Sequence, residues 1–243
     1  MNIKHFNFKT ASIELILKTV DDKSRFLSLY KSALKQILEN PECNKLLKRI
    51  YKFDKATFEH SVNVSLIAAV IYYNENLPDM NMIDVINAGL FHDVGKTMIN
   101  KKILLSSEKL SQRDKKLISL HPSFGYNMLS PIPMSNTAKK GVLYHHCNIK
   151  GKSYPMKIND REIPIIGRLL KIADVFDALI SKRSYKEAKN PIDVSAYILN
   201  NVDIQFDKNL ISSIEKLIKI IIKEENALYG TQINKIESRA NYS

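Results

Sequence analysis

The sequence predicts an all-α fold, and three observations carry that expectation. Apolar residues recur at three- and four-residue spacing along most of the chain, only 7 of 243 residues are glycine, and no segment shows the alternation of a half-buried strand. Hydrophobic residues make up 44 % and charged residues 26 %, a composition that suits a folded domain. The length suffices for one large domain or two small ones with a real core.

Helical spacing runs through 11–20 and 24–39. Asn40-Pro41 interrupts it and starts a helix over 41–52, with Pro41 in the first turn, where a missing N–H costs nothing. Residues 58–76 form a long apolar helix that ends before Leu77-Pro78, and 82–93 form another, with Asp84 in the turn that favours an acid. A loop or short turns follow over 97–110. Ser111 is placed to cap a helix over 111–120, and two short helices are expected at 122–130 and 135–146. The polar stretch 147–163, with Gly151 and Pro155, is the clearest loop. A strongly apolar helix runs over 164–181 from Pro164, helices over 191–200 and 208–228 follow, and the tail from Gly230 is expected to fray. The expected organisation is an N-terminal helical segment at 1–50, a main domain at 51–229 and a tail at 230–243. Residues 1–50 form either a separate layer, free to dimerise, or part of the same core.

The net charge is +12. Such a surface suits an anionic partner, but the lysines are scattered and mixed with acids, which fits solvated faces better. No nucleic-acid recognition motif is present and aromatic residues are not interleaved with the basic runs, so DNA is not an expected partner. The N-terminus MNIKHFNFKT lacks the apolar core of a signal peptide, and no run reaches the ~18 apolar residues of a membrane span. With only Cys43 and Cys147, the expectation is a cytoplasmic protein with reduced thiols.

The informative residues are histidines. Of six, His60, His92, His121, His145 and His146 fall in or beside apolar helical segments, and His92 is followed by Asp93. Asp174 lies in the apolar run LLKIADVFDALI, which also contains Asp177. Polar groups so placed cost stability unless satisfied, and a buried carboxylate needs a cation: a metal, or a lysine or arginine inside the bundle. Five imidazoles and two carboxylates exceed the four ligands of one zinc site and suit two metals bridged by Asp93. Mixed nitrogen and oxygen ligands favour iron, manganese or zinc over magnesium or calcium. Cys147 is a further soft donor, set aside because harder ligands abound beside it.

In order and spacing, EHS (59–61), HDVGK (92–96), HP (121–122), HH (145–146) and ADVFDA (173–178) resemble the HD-GYP family, a branch of the HD metal-dependent phosphohydrolases. The resemblance spans roughly residues 50 to 210. It implies an HD-domain helical bundle carrying the additional N-terminal segment. It also implies one metal held by His60, His92, Asp93 and Asp174, and a second held by Asp93, His121, His145 and His146. Where some members carry a glutamate for a third metal this chain has Ala56, so two divalent ions, iron or manganese, are expected. Lys96 is the lysine of HDxGK and, with Asp93, belongs to the catalytic group. Lys96, Asp177, Arg183 and Lys186 match positions that contact the cyclic dinucleotide. Gly95 lets the chain leave the helix close to the metals.

The implied activity is hydrolysis of cyclic di-GMP to pGpG or GMP. Two cations sharing a water lower its pKa and turn it into a nucleophile, while Lys96 adds charge where the phosphate sits. The loop departs from the family pattern: it reads HHCNIKGKSYP, with Ser153 where a glycine precedes Tyr154-Pro155. That keeps two alternatives open, another substrate such as cyclic GMP-AMP, or a catalytically weak module that binds nucleotides or proteins.

Overall fold

A computed structural model of the chain describes residues 1–2, 5–77, 80–106, 108–181 and 188–224. Its organising element is α4 (Lys55–Glu75), whose residues from His60 to Ile71 are all buried. A helix that is apolar on every side must be covered on every side. Before it come α1 (Ala11–Ile16), extended by a 3-10 turn over Leu17–Thr19, α2 (Lys23–Glu39) and α3 (Pro41–Phe53). After it come α5 (Met82–Phe91), a 3-10 turn over Val94–Met98, α6 (Lys101–Leu104), α7 (Gln112–Ile118), α8 (His121–Leu129) and α9 (Asn136–Tyr144). The chain continues with α10 (Ile165–Ile180), α11 (Pro191–Asn200), a 3-10 turn over Lys208–Leu210 and a helical run over 212–224. Helices α1, α2, α3, α5 and α10 all pack on α4, and α9 closes against α5, α8 and α10. Among the described residues no strand forms, and the all-α expectation holds.

Side-chain caps fix most helix starts. Asn40 accepts from the amides of Glu42 and Cys43 with Pro41 behind it, Asp54 from Thr57, Asn81 from Asp84, Ser111 from Asp114 and Ser135 from Ala138. The Asp54 cap explains why α4 starts three residues before the apolar run that marks it in the sequence. Helix α5 stops at Phe91 rather than at 93, because the backbone of Asp93 (φ −98°, ψ 4°) leaves helical geometry and enters the 3-10 turn. The expected loop over 97–110 contains the single-turn helix α6.

Residues 1–50 share the core. Phe6, Ile13, Ile16, Phe26, Tyr30 and Leu47 belong to the same buried cluster as Val64, Phe91, Leu170 and Phe176. A buried hydrogen bond of 2.7 Å joins the Tyr30 hydroxyl of α2 to Ser65 of α4. No helix among the described residues is long and apolar enough to cross a membrane.

Candidate metal centre

Helix ends deliver the functional side chains. His92 caps the C-terminus of α5, His121 opens α8 just after α7, and His145 caps the C-terminus of α9. At such ends the last carbonyls lack partners within the helix. Each of these imidazoles supplies one: Nδ1 of His92 donates to the Gly89 carbonyl at 2.8 Å, that of His121 to Ile118 at 2.8 Å, and that of His145 to Val142 at 2.7 Å. His60, inside α4, donates Nδ1 to the Asp177 carboxylate instead, at 2.6 Å. With a carbonyl or carboxylate as acceptor, Nδ1 carries a proton in all four rings, and Nε2 is the atom each ring turns toward the centre.

The Nε2 atoms converge on Asp93. Its Oδ2 lies 3.3 Å from His92 Nε2 and 3.9 Å from His60 Nε2, and its Oδ1 lies 3.2 Å from His121 Nε2. His121 Nε2 faces His145 Nε2 at 3.2 Å, and His60 Nε2 faces Asp174 Oδ1 at 2.9 Å. The ring of His146 lies beside those of His121 and His145. Three groups of side chains bring their donor atoms within 4.8 Å of one another: His60, His92 and Asp174; His121, His145 and His146; and His92, Asp93 and His145. The first and second groups fall within the two ligand sets that the resemblance implies, and Asp93 lies between them.

Without a cation this centre is poorly satisfied. His92 Nε2 and Asp93 Oδ1 are buried and, despite their close neighbours, make no aligned hydrogen bond. With both rings neutral, the His121 and His145 Nε2 atoms would present lone pairs to each other, because each Nδ1 proton is committed to a carbonyl. Such an arrangement is costly unless a positive charge takes those lone pairs. The donor set of imidazoles and carboxylates therefore fits divalent metal.

The electrostatics agree. Burial raises the Asp93 carboxyl, but His92, Lys96 and the His121 contact outweigh it and hold the group well below the usual carboxylate range. Burial likewise opposes ionisation of Asp174, and His60, His146 and His92 overcome it. For His145 and His146, burial and the neighbouring imidazoles push the pKa well below that of free histidine, so both rings stay neutral. Neutral imidazoles and ionised carboxylates are the forms that bind metal.

Lys96 places Nζ 2.6 Å from Asp93 Oδ2 and is 24 % exposed, at the edge of the centre. Asp177 is 1 % exposed, and its carboxylate accepts from Ser12 and Asn63 as well as from His60 and Ser181. A group so enclosed supports His60. Arg183 and Lys186 lie outside the described residues.

Several participants were harder to see in the sequence. Tyr154 stacks on His146 with ring centroids 4.4 Å apart. Lys171 is buried one turn before Asp174; burial lowers its pKa and Asp174 partly restores it. Among the described residues Asp174 meets His60 Nε2 at 2.9 Å and no lysine or arginine. Cys147 is buried outside the three groups, with its thiol toward the Tyr154 carbonyl at 3.8 Å. In the altered loop Ser153 keeps φ negative, and its hydroxyl accepts from the Asn148 amide at 3.0 Å. The serine is therefore accommodated without the strain that a left-handed position would impose.

Comparison with known proteins agrees with this architecture. The chain is 32 % identical over 155 residues to the cyclic di-GMP phosphodiesterase PA4108 of Pseudomonas aeruginosa, covering 63 % of this chain and 37 % of that protein. It is 29 % identical over 178 residues to a cyclic di-GMP phosphodiesterase of Thermotoga maritima, covering 72 % and 46 %. It is 27 % identical over 173 residues to the 3′3′-cGAMP-specific phosphodiesterase 3 of Vibrio cholerae, covering 71 % and 37 %. The chain thus spans less than half the length of each of these relatives. In fold it is similar to the HD domain of the Listeria monocytogenes phosphodiesterase PgpH, with a TM-score of 0.51 and 18 % identity over 76 % of this chain and 98 % of that one. The family profile described as the HD domain matches residues 25–210, which takes in α3, α4 and every side chain of the histidine centre. The chain belongs to the HD-domain family.

Proposed function

We propose that the chain is a metal-dependent phosphodiesterase of the HD-GYP type that hydrolyses cyclic di-GMP to pGpG or GMP. The observation that carries this is the convergence on Asp93 of four imidazoles, each held through Nδ1 by a carbonyl or carboxylate, with the His121 and His145 Nε2 atoms 3.2 Å apart. In this reading His60, His92, Asp93 and Asp174 hold one cation, Asp93, His121, His145 and His146 hold a second, and Asp93 is shared. Iron and manganese suit these donors. When bound, two such ions supply Lewis-acid charge to the phosphate and lower the pKa of a shared water.

The chain's own residues do the rest. Buried carboxylates and neutral imidazoles keep the centre anionic and water-poor, which strengthens its hold on cations. Lys96 stands where a phosphate oxygen can exchange for its contact with Asp93 and adds a positive charge there. Tyr154, stacked on His146, offers an aromatic edge on the loop side. Arg183 and Lys186 remain the basic substrate contacts. Residues 51–229 act as the catalytic unit, with residues 1–50 packed against it.

The test is product analysis with cyclic di-GMP under reducing conditions after loading with iron or manganese, on the wild type and on the His92→Ala/Asp93→Ala double variant. The wild type should yield pGpG or GMP and carry close to two metals per chain, and the double variant should lose both. Full activity in the folded double variant, or wild-type activity with no bound metal, overturns the assignment. Cyclic GMP-AMP belongs in the same screen, because one relative is specific for it. Bound metal with no turnover of any cyclic dinucleotide would turn the assignment toward a binding module.

A further inference from the structure

Asp177 receives more hydrogen bonds than a carboxylate needs merely to be tolerated inside a bundle. Its Oδ1 accepts from Ser12 Oγ at 2.6 Å, Asn63 Nδ2 at 2.8 Å and Ser181 Oγ at 2.8 Å, and its Oδ2 accepts from His60 Nδ1 at 2.6 Å. Three donors on one oxygen fix the rotation of the carboxylate, so the other oxygen has one direction left, and it meets His60. Asn63 is itself oriented: Thr10 Oγ1 donates to its Oδ1 at 3.1 Å, which turns Nδ2 toward Asp177. Two hydroxyls from residues 10–12 therefore hold the rear of the arrangement, from a segment 165 positions away from Asp177 in sequence.

Ser12 is fully buried in α1 beside Ile13 and Ile16, and besides Asp177 its hydroxyl meets Thr10 Oγ1 at 3.3 Å. A buried hydroxyl at such a place costs stability unless it has a strong partner, and a bond to an ionised carboxylate is among the stronger ones. What serine adds is a proton for Asp177.

We propose that Ser12 is a positioning residue for His60: by donating to Asp177 it fixes the carboxylate that sets the tautomer and aim of the imidazole. The N-terminal helix is then part of the His60, His92 and Asp174 half of the centre and no part of the His121, His145 and His146 half. Displacing α1 by any means removes the donor and loosens one half alone. The consequence for metal rests on the function proposed above; the consequence for His60 does not.

The experiment uses the full chain with Ser12→Ala and Ser12→Thr. Metal-free samples are read by nitrogen-15 spectra of the His60 ring, and Mn²⁺ titration is then read site by site. The wild type should show one set of His60 ring resonances with Nδ1 protonated and hydrogen-bonded, and Ser12→Ala a mixture of ring states. Ser12→Ala should weaken one of two Mn²⁺ ions by about ten- to a hundredfold and leave the other unchanged, as loss of a ligand's outer partner typically does. Ser12→Thr keeps the hydroxyl and should stay near wild type on both readouts. Unchanged His60 resonances in Ser12→Ala overturn the proposal, as does an equal loss in Ser12→Thr, which would assign the effect to packing. Should Ser12→Ala fail to fold, Thr10→Val removes the outer hydroxyl: the same changes on a smaller scale support the proposal, and none overturns it. A wild-type chain that binds no Mn²⁺ overturns the metal assignment, and the positioning role then stands or falls on the tautomer spectrum.

Discussion

Gly95→Ala should damage the centre without touching any ligand. Gly95 lies in the 3-10 turn just after His92 and Asp93, against the first turn of α8. A Cβ on it would sit 2.0 Å from the His121 carbonyl oxygen and 2.5 Å from the Gly125 amide nitrogen. Both are backbone atoms, so no rotamer change relieves the contact, and the turn and α8 must separate by on the order of an ångström to restore van der Waals distance. Overpacking of this kind costs about 1–3 kcal/mol, and the immobility of both neighbours puts this case near the upper figure. For a domain of this size each kcal/mol shifts Tm by roughly 2–4 °C, so 3 kcal/mol lowers it by roughly 6–12 °C. Because the atom struck belongs to His121, the displacement also moves its imidazole away from His145 and Asp93, both now at 3.2 Å. The assay is thermal unfolding of the metal-free chain followed by Mn²⁺ titration. Gly151→Ala is the control: Gly151 has φ +91° but nothing within 4 Å of its Cβ position, so it carries backbone strain without a collision and lies away from the ligands. A Gly95→Ala protein that melts with the wild type and binds the same metal would refute the reasoning.

Other outcomes follow from buried groups. Burial pushes the thiols of Cys43 and Cys147 up to about 11, so both should resist a thiol reagent at pH 8 in the native chain and react once it is denatured; prompt native labelling of both would contradict this. The same shift fixes a sign: the folded chain keeps thiol protons that the unfolded chain loses above pH ~9, so these groups' contribution to stability falls as pH rises past that point, measurable by denaturant melts at pH 8 and 10. Tyr30→Phe removes a hydroxyl bonded to Ser65, whose own proton goes to the Val62 carbonyl, and should cost about 1–2 kcal/mol in urea melts; no change in midpoint would mean the bond contributes nothing. Tyr154→Ala should weaken Mn²⁺ binding by uncovering His146, whereas Tyr154→Phe keeps the stacked ring and should not; equal losses would shift the role to the hydroxyl.

The fold class, Pro41 and the Ser111 cap were legible because they depend on local spacing and local hydrogen bonds. The gathering of His60, His92, Asp93, His121, His145, His146 and Asp174 was legible because polar residues in apolar helices need a common cause. The rear support was not. Nothing local marks Ser12, Thr10 or Asn63 as partners of a carboxylate far along the chain, and the enclosure of Asp177 depends on packing that spacing alone does not give. The end of α5 at Phe91 was also hidden, since Asp93 leaves the helix to suit contacts made by α8 and Lys96.

Because His92, His121 and His145 are tied to the backbone at different helix ends and His60 to a distant carboxylate, the centre exists only when widely separated parts of the chain have arrived together; His60 and Asp174 alone are 114 positions apart. A partly assembled chain offers isolated histidines and no cluster. Cations that bind the assembled form alone deepen its free-energy well by mass action. On the function proposed above, metal uptake would report on chain assembly as well as prepare for chemistry, and an occupied centre would work as a reversible clasp fastening α4, α5, α8, α9 and α10 at one point.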